Sequence, residues 1–476
     1  MLNKLQGDSP FGEVLIRRSD FYEKERKQEL LDEFDNVSQL LEKIEQSGDS
    51  LDRVRRSLMN FRDIENILKK LKFSYLHEVE FFELKSFMLN LSKLYEGYSG
   101  LELYLANVEF IDAEEALNIL DPDKNRVAPF YLSEQYSKEL FDIRNEKNRV
   151  ELLMRSETDK EVFEKLKTER LNITVKEEAA ETAVKKDLSD KLRPFLPMFR
   201  KNVDAIGKLD FAIQKAMLAK TYGAVCPKIT EGTDSPAVFV DMKNPEVEEA
   251  LRERERSFTP LSIALKQGTT LLTGANMGGK SVAVKTVVLN ICLCQMGFFA
   301  FAKSAQTPLF DGIYLISEDL QSISHGLSTF GGEIVQFNNI AQKAQQEFLL
   351  IALDEFARGT NPEEGALIVR AVSLYLNRLK SVSILTTHYD NVASDNFGIY
   401  QVAGLKDADF KRLSEKLSDG SNAAVGVDLI SEYMDYRLLQ VHGHVEPPRD
   451  ALNICRLLGT TRDLLDAIEA EYEERA

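Results

Sequence analysis

Gly274, Gly279, Lys280 and Ser281 stand at the spacing G-x-x-x-x-G-K-S inside the run TGANMGGKSVAVK, from Thr273 to Lys285. These are the residue types a bound phosphate requires. Glycines, Gly278 among them, let successive backbone N–H groups curl round an anion, and a helix N-terminus behind them adds positive partial charge. A lysine at this place reaches the β- and γ-phosphates of a nucleoside triphosphate, and the hydroxyl after it ligates Mg2+. The flanking residues supply the setting the pattern needs. A strand-like run from Thr269 to Leu272 precedes it, and Val284, Val287, Val288 and Ile291 follow at helical spacing. An ordinary glycine-rich turn is the competing reading, and the strand before and helix after weigh against it.

Two further stretches carry matching chemistry. Phe348 to Leu353 is an apolar run ending in Asp354 and Glu355. A buried strand that delivers one carboxylate to Mg2+ and the next to an attacking water is the usual companion of a phosphate loop. Asp354 is therefore expected at the metal and Glu355 at the water. Thr386-Thr387-His388 ends another strand-like run, where His388 could sense the γ-phosphate. A lone histidine is more often structural, but this chain has only five, and this one lies where the chemistry would be.

The elements that position these residues divide at Thr230–Pro236. Before it, residues 1–235 read as helix almost throughout, as in Leu30, Leu31, Phe34, Val37, Leu40, Leu41 and in Leu58, Phe61, Ile64, Ile67, Leu68. Within that half, residues 140–200 are charge-dense with helically spaced apolar positions. They read either as a projecting pair of long helices or as the solvated face of a bundle. Beyond the divide, β-rich runs alternate with helices at Val238–Val240, Leu261–Leu265, Thr269–Leu272, Phe298–Ala302, Gly312–Ile316, Phe348–Leu353, Val382–Thr387 and Gly398–Val402. Such alternation predicts an α/β fold with a largely parallel sheet over residues 236–440. Residues 406–434 are a polar insertion, and 441–476 form a helical tail with a break at Gly459 that suits dimerisation.

Composition narrows the partners. The net charge is −17, whereas proteins that grip duplex DNA through phosphate neutralisation usually present basic surface. Between Asp142 and Asn202 there are 15 basic and 13 acidic residues, too balanced for a strong phosphate-binding arm. Four cysteines (Cys226, Cys292, Cys294 and Cys455) make no disulfide or zinc framework; Cys292 and Cys294 read as buried thiols, which fits a reducing cytoplasm. No apolar run has membrane-spanning length.

The runs TGANMGGKS, QMGFFAFAKSAQTPLFDGIYLISEDLQSISHGLSTFGGEI, LDEFARGTNPEEG and TTHYD resemble the MutS superfamily of ABC-type ATPases. Its pattern is TGPNMGGKST, then G-x-F-V-P-A, STF, LDE-x-GRGT and THY in this order. The likeness spans about Val238 to Tyr389. It continues more weakly through NVDAIGKLDFAIQKAMLAKTYGAVCPKI, similar to the helix that joins the family's lever domain to its ATPase. It implies ATP with Mg2+, a helical lever or clamp before the ATPase, and a dimer, homomeric or with a related subunit, whose sites are composite. Asn276 would then join the phosphate cradle, and Ser328 and Thr329 would face the γ-phosphate held by the other subunit. Phe258 would stack on adenine, although as an isolated residue it reads equally as core. Ala275, Val282 and Ala357 depart from the family's Pro, second hydroxyl and Gly, and none removes a phosphate or metal ligand.

The mismatch-reading domain of the repair members, with its Phe-x-Glu wedge, is not expected in residues 1–30. Phe21-Tyr22-Glu23 has the letters, but so do Phe11-Gly12-Glu13 and Phe81-Phe82-Glu83. The resemblance therefore implies a dimeric, nucleotide-driven clamp on a protein client, most like the MutS-like ATPases that accompany cobalamin-dependent lysine aminomutases. The alternative is a DNA-binding member acting on branched or mismatched DNA in repair or recombination. Mismatch repair proper, or a scaffold that has lost turnover, is the third reading.

Overall fold

The computed structural model describes residues 1–46, 48–274, 279–317, 329–389, 391–404, 435–441, 455 and 460–474. Two compact units divide the chain, Met1–Ser19 with Asp35–Met217, and Asp20–Phe34 with Leu218–Ala476.

The first unit is helical. It holds α1 (Pro10–Arg17) and most of α2 (Lys27–Gln46), then α3 (Gly48–Leu58), α4 (Glu65–Phe73), α5 (Glu78–Ser99), α6 (Glu114–Leu120), α7 (Lys138–Ser156), α8 (Lys160–Leu192) and most of α9 (Leu196–Tyr222). Caps explain several starts. Ser9 accepts from Gly12 N–H with Pro10 in the first turn, and Asp159 accepts from Glu161 and Val162 at the head of α8. Asp210 of α9 accepts from both the backbone N–H and the hydroxyl of Ser9 at 2.7 Å. A Cβ at Gly12 would lie 2.1 Å from that carboxylate, so only glycine fits there.

The charge-dense stretch forms the antiparallel pair α7–α8, laced by Arg144 to Glu177 and Glu181 and by Arg170 to Glu151. Leu152, Leu171 and Val175 stay more than three-fifths exposed on it.

The second unit is built on a six-stranded sheet of order β10-β9-β4-β8-β7-β6. Its strands are β4 (Gly268–Thr273), β6 (Gly312–Ile316), β7 (Leu349–Leu353), β8 (Val382–Thr386), β9 (Gly398–Gly404) and β10 (Asp435–Val441). All neighbours are parallel except β10, which returns antiparallel on β9. A parallel sheet is covered on both faces, which is why Leu349–Leu353 is an unbroken apolar run buried at every position. The helices of this unit are α10 (Pro245–Arg252), α11 (Lys280–Gln295), α12 (Thr329–Lys343), α13 (Pro362–Leu376) and α14 (Arg462–Glu474).

Two expectations are corrected. Val238–Val240 and Leu261–Leu265 are strands, but they lie in a separate, mainly antiparallel sheet of order β1-β5-β2-β3, made of β1 (Lys228–Ile229), β2 (Ala237–Met242), β3 (Leu261–Leu265) and β5 (Ser304–Thr307). Phe298–Ala302 is not a strand. Gly297 turns the chain at φ 80°, and Phe301 N–H donates to the side chain of Asn290 instead of to a ladder partner. The run is apolar because it is buried, not because it is extended; the strand follows it at Ser304.

The segment Asp20–Phe34 is tied into this second unit. Tyr22 N–H donates to Gln295 O at 2.8 Å, and Lys24 pairs with Asp311. Burial pushes the Tyr22 hydroxyl up to about 12. Phe21-Tyr22-Glu23 therefore lies in a packed segment and is not a free wedge. Residues 406–434, Gly459, Asn276, Gly278 and Ser328 lie outside the described residues.

Candidate nucleotide site

Three neighbouring parallel strands bring the predicted chemistry to one edge. In the sheet β8 lies between β4 and β7, with Leu272 opposite Thr386 and Leu353 opposite Leu385. The phosphate-loop run leaves the carboxyl end of β4, Asp354 and Glu355 leave β7, and Thr387-His388 leave β8. Ligands of open α/β sheets bind outside the carboxyl ends of strands.

The loop's described residues have the conformations that its glycines predict. Gly274 has φ 138° and Gly279 has φ 77°. Gly279 caps α11, so Lys280 and Ser281 occupy its first turn, at the positive end of the helix dipole. Lys280 is buried, 3% exposed, and its Nζ donates to Gly274 O at 2.7 Å. Desolvation pulls its pKa below the ordinary lysine value, while the negative charges of Glu355 and then Asp354 oppose that pull. A buried ammonium facing two carboxylates is a place for a polyanion with its cation.

Asp354 is buried and accepts from Thr386 Oγ1 at 2.7 Å; the same hydroxyl accepts Glu355 N–H, also at 2.7 Å. Thr386 thus orders both acids through one atom. Sequence reasoning placed Thr386 only as a strand end, and nothing in its local pattern marks the two bonds. Glu355 is half-buried with a left-handed backbone, φ 51°, and pairs with Arg358 at 2.5 Å. His388 is half-buried with its ring beside Tyr389, centroids 4.3 Å apart. Burial lowers its pKa, against the raising effect of Glu355, which favours the neutral imidazole, with one ring nitrogen a donor and the other an acceptor.

Phe258 is partly buried against the sheet's hydrophobic core. Thr329 begins α12. A residue that the sequence reading missed is Tyr436 on β10, whose ring covers Gly279: a Cβ there would meet Tyr436 Cδ1 at 2.9 Å. Burial raises the Tyr436 pKa, and the charge of Arg256 lowers it. About 160 residues separate Tyr436 from the loop, and only the antiparallel return of β10 brings them together; a seven-residue strand next to a polar insertion gave no signal.

For Mg2+, the candidate donors are the Ser281 hydroxyl and the Asp354 carboxylate, an all-oxygen set suited to a hard cation. Held by Ser281 and Asp354, a Mg2+ would supply positive charge against the negative charge that develops during phosphoryl transfer.

Residues 270–417 match MutS domain V. Over that stretch the chain is similar to the ATPase domain of the MutS superfamily. Relatives include "Endonuclease MutS2" of Thermomicrobium roseum, 32% identical over 282 residues, 57% of this chain and 34% of the relative. "Endonuclease MutS2" of Clostridium novyi is 28% identical over 313 residues, 65% of this chain and 36% of the relative. "DNA mismatch repair protein msh3" of Aspergillus niger is 30% identical over 293 residues, 60% of this chain and 24% of the relative. The chain therefore spans about a quarter to a third of the length of these relatives. Among the described residues no helix is long and apolar enough to cross a membrane.

Proposed function

We propose that the chain is a MutS-type ATPase that binds MgATP at the carboxyl ends of β4, β7 and β8, and that its nucleotide cycle drives the helical unit against a DNA partner, branched or mismatched. The observation that carries the nucleotide reading is the electrostatic coupling of buried Lys280, after β4, to Glu355 and Asp354, after β7, on either side of β8. Lys280 holds the β- and γ-phosphates once nucleotide displaces its bond to Gly274. Gly274, Asn276, Gly278 and Gly279 line the phosphate cradle, Ser281 and Asp354 hold the cation, and Glu355 orients the attacking water. His388, neutral, contacts the γ-phosphate side. Phe258 supports the base, and Ser328 and Thr329 complete a second subunit's site in a dimer.

DNA is taken as the partner because the relatives named for DNA repair and endonuclease action share this ATPase half. A protein client is the second reading. It is favoured by the balanced charge of α7–α8 and by the exposed Leu152, Leu171 and Val175 on that pair. The narrower idea of a cobalamin-dependent aminomutase as that client rests on the sequence resemblance alone.

The test has two arms. Lys280→Ala should abolish nucleotide binding, and Glu355→Gln should keep binding while lowering kcat by ~100-fold or more, the scale of losing a water-positioning group. Wild-type hydrolysis by the Glu355 variant would remove the assignment. In the second arm, duplex, mismatched duplex and four-way junction are titrated at low and at physiological salt. A clamp making about six phosphate contacts loses on the order of a thousandfold in affinity over a fourfold rise in salt. Structure-selective binding that weakens with that slope and stimulates ATPase supports DNA; weak, unselective binding without stimulation favours the protein client.

A further inference from the structure

The loop after β7 contains a conformation that its residue type does not favour. Ala357 has φ 62° and is fully buried, and Glu355 two residues earlier is also left-handed at φ 51°. A side chain with a Cβ is strained there, since that atom crowds the following carbonyl. Glycine would carry the turn without strain, so something else must hold Ala357.

Two side chains grip its peptide groups. Glu333 of α12, 4% exposed, accepts Ala357 N–H on Oε2 at 2.9 Å. Tyr389, beyond β8, donates its hydroxyl to Ala357 O at 3.0 Å. The tyrosine is itself confined, because a Cβ at Gly365 of α13 would lie 2.5 Å from its Oη. The negative charge of Glu333 is among the causes raising the Tyr389 pKa, after burial, which places carboxylate and hydroxyl close together around the same alanine. A buried carboxylate that accepts a backbone N–H forms a bond stronger than a neutral pair.

We propose that Glu333 is a positioning residue for ATP hydrolysis: with Tyr389 it clamps Ala357 in its left-handed turn and so sets Glu355 and its partner Arg358. This rests on the ATPase reading above. The placement of Glu333 gives the clamp a second consequence. It lies one turn into α12, a helix that begins at Thr329, so a shift of that helix end on nucleotide binding would reach Ala357 through one hydrogen bond and Glu355 through the two peptides before it.

The clamp is needed because residue 357 is alanine, and this makes the idea separable from a general packing role. The experiment measures kcat and fluorescent-ADP affinity of the full chain for Glu333→Ala, Glu333→Gln and Tyr389→Phe, each with Ala357 and again in an Ala357→Gly background. Glu333→Ala should lower kcat about tenfold or more with ADP affinity within about threefold of wild type; a misplacement of about 1 Å can cost on the order of a hundredfold. Glu333→Gln keeps an acceptor oxygen and should recover most of the rate. In the Ala357→Gly background, the loss caused by Glu333→Ala should shrink to about threefold or less, because glycine holds the turn unaided.

Equal losses in both backgrounds, or a fall in ADP affinity parallel to kcat, would overturn the proposal. If Glu333→Ala fails to fold, Tyr389→Phe, which loses one hydroxyl, carries the same comparison between backgrounds. Failure of the underlying ATPase reading is visible separately, as absent wild-type turnover or turnover indifferent to Lys280→Ala, and it takes this proposal with it.

Discussion

Replacing Thr386 by valine tests the order of the acidic edge more directly than removing either acid. Valine keeps the shape of the buried side chain and removes one oxygen. That oxygen donates to Asp354 Oδ1 and accepts Glu355 N–H, both at 2.7 Å. A hydrogen bond to a charged group contributes about 1.5–3 kcal/mol, and a buried donor left without a partner costs about 1–3 kcal/mol. The methyl that replaces the hydroxyl returns about 0.8 kcal/mol through burial, which leaves a net cost of about 3 kcal/mol. Thr386→Ser keeps the oxygen and gives up only a buried methyl, about 1 kcal/mol.

For a unit of this size each kcal/mol lowers the unfolding temperature by about 2–4 °C. The valine variant should therefore melt about 6–12 °C below wild type and the serine variant about 2–4 °C below it. The catalytic readout is independent. If the ~2 kcal/mol that separates the variants is what orders Asp354, the Mg2+ concentration for half-maximal ATPase should rise about thirtyfold in Thr386→Val and little in Thr386→Ser. Differential scanning fluorimetry and an ATPase titration against Mg2+ measure both. A valine variant as stable as serine, with an unchanged Mg2+ requirement, would refute the role given to this hydroxyl.

Two further outcomes are expected. Gly279→Ala imposes a Cβ at φ 77° and 2.9 Å from the Tyr436 ring, and the backbone part alone costs about 1–2 kcal/mol. Nucleotide affinity should fall about tenfold, and adding Tyr436→Ala should restore the steric share only; no recovery would contradict the contact, and full recovery would contradict the backbone strain. His388 has a folded pKa below its ordinary 6.5, so the unfolded chain binds the proton first as pH falls. The stability that the neutral ring contributes is present above pH 6.5, declines from there down to the folded pKa, and is constant below it. The melting difference between wild type and His388→Gln should therefore shrink from pH 7.5 to 5.5, and a difference that grows would show the ring to be stabilised as a cation.

What the sequence settled by itself is local. The glycines, lysine and serine after an apolar run specify a tight turn that opens a helix, and Gly274, Gly279, Lys280 and Ser281 take those positions because each requirement is met within a dozen residues. Leu349–Leu353 was legible as a buried strand for the same reason, since burial on both faces leaves a continuous apolar signature. Phe298–Ala302 has that signature too and is not a strand: apolarity reports burial, and the run makes only an isolated bridge from Ala300 to Val225 before Asn290 takes the Phe301 N–H. The assignment of strands to two sheets, the tethering of Asp20–Phe34 to the sheet unit and the return of β10 over Gly279 were also beyond local pattern. So were the hydroxyl of Thr386 between two acids and the carboxylate of Glu333 on Ala357. Apart from Asn290 and Phe301, 11 residues apart, the partners lie about twenty residues or more apart, and their meeting depends on strand order and helix packing, which residue spacing along the chain does not encode.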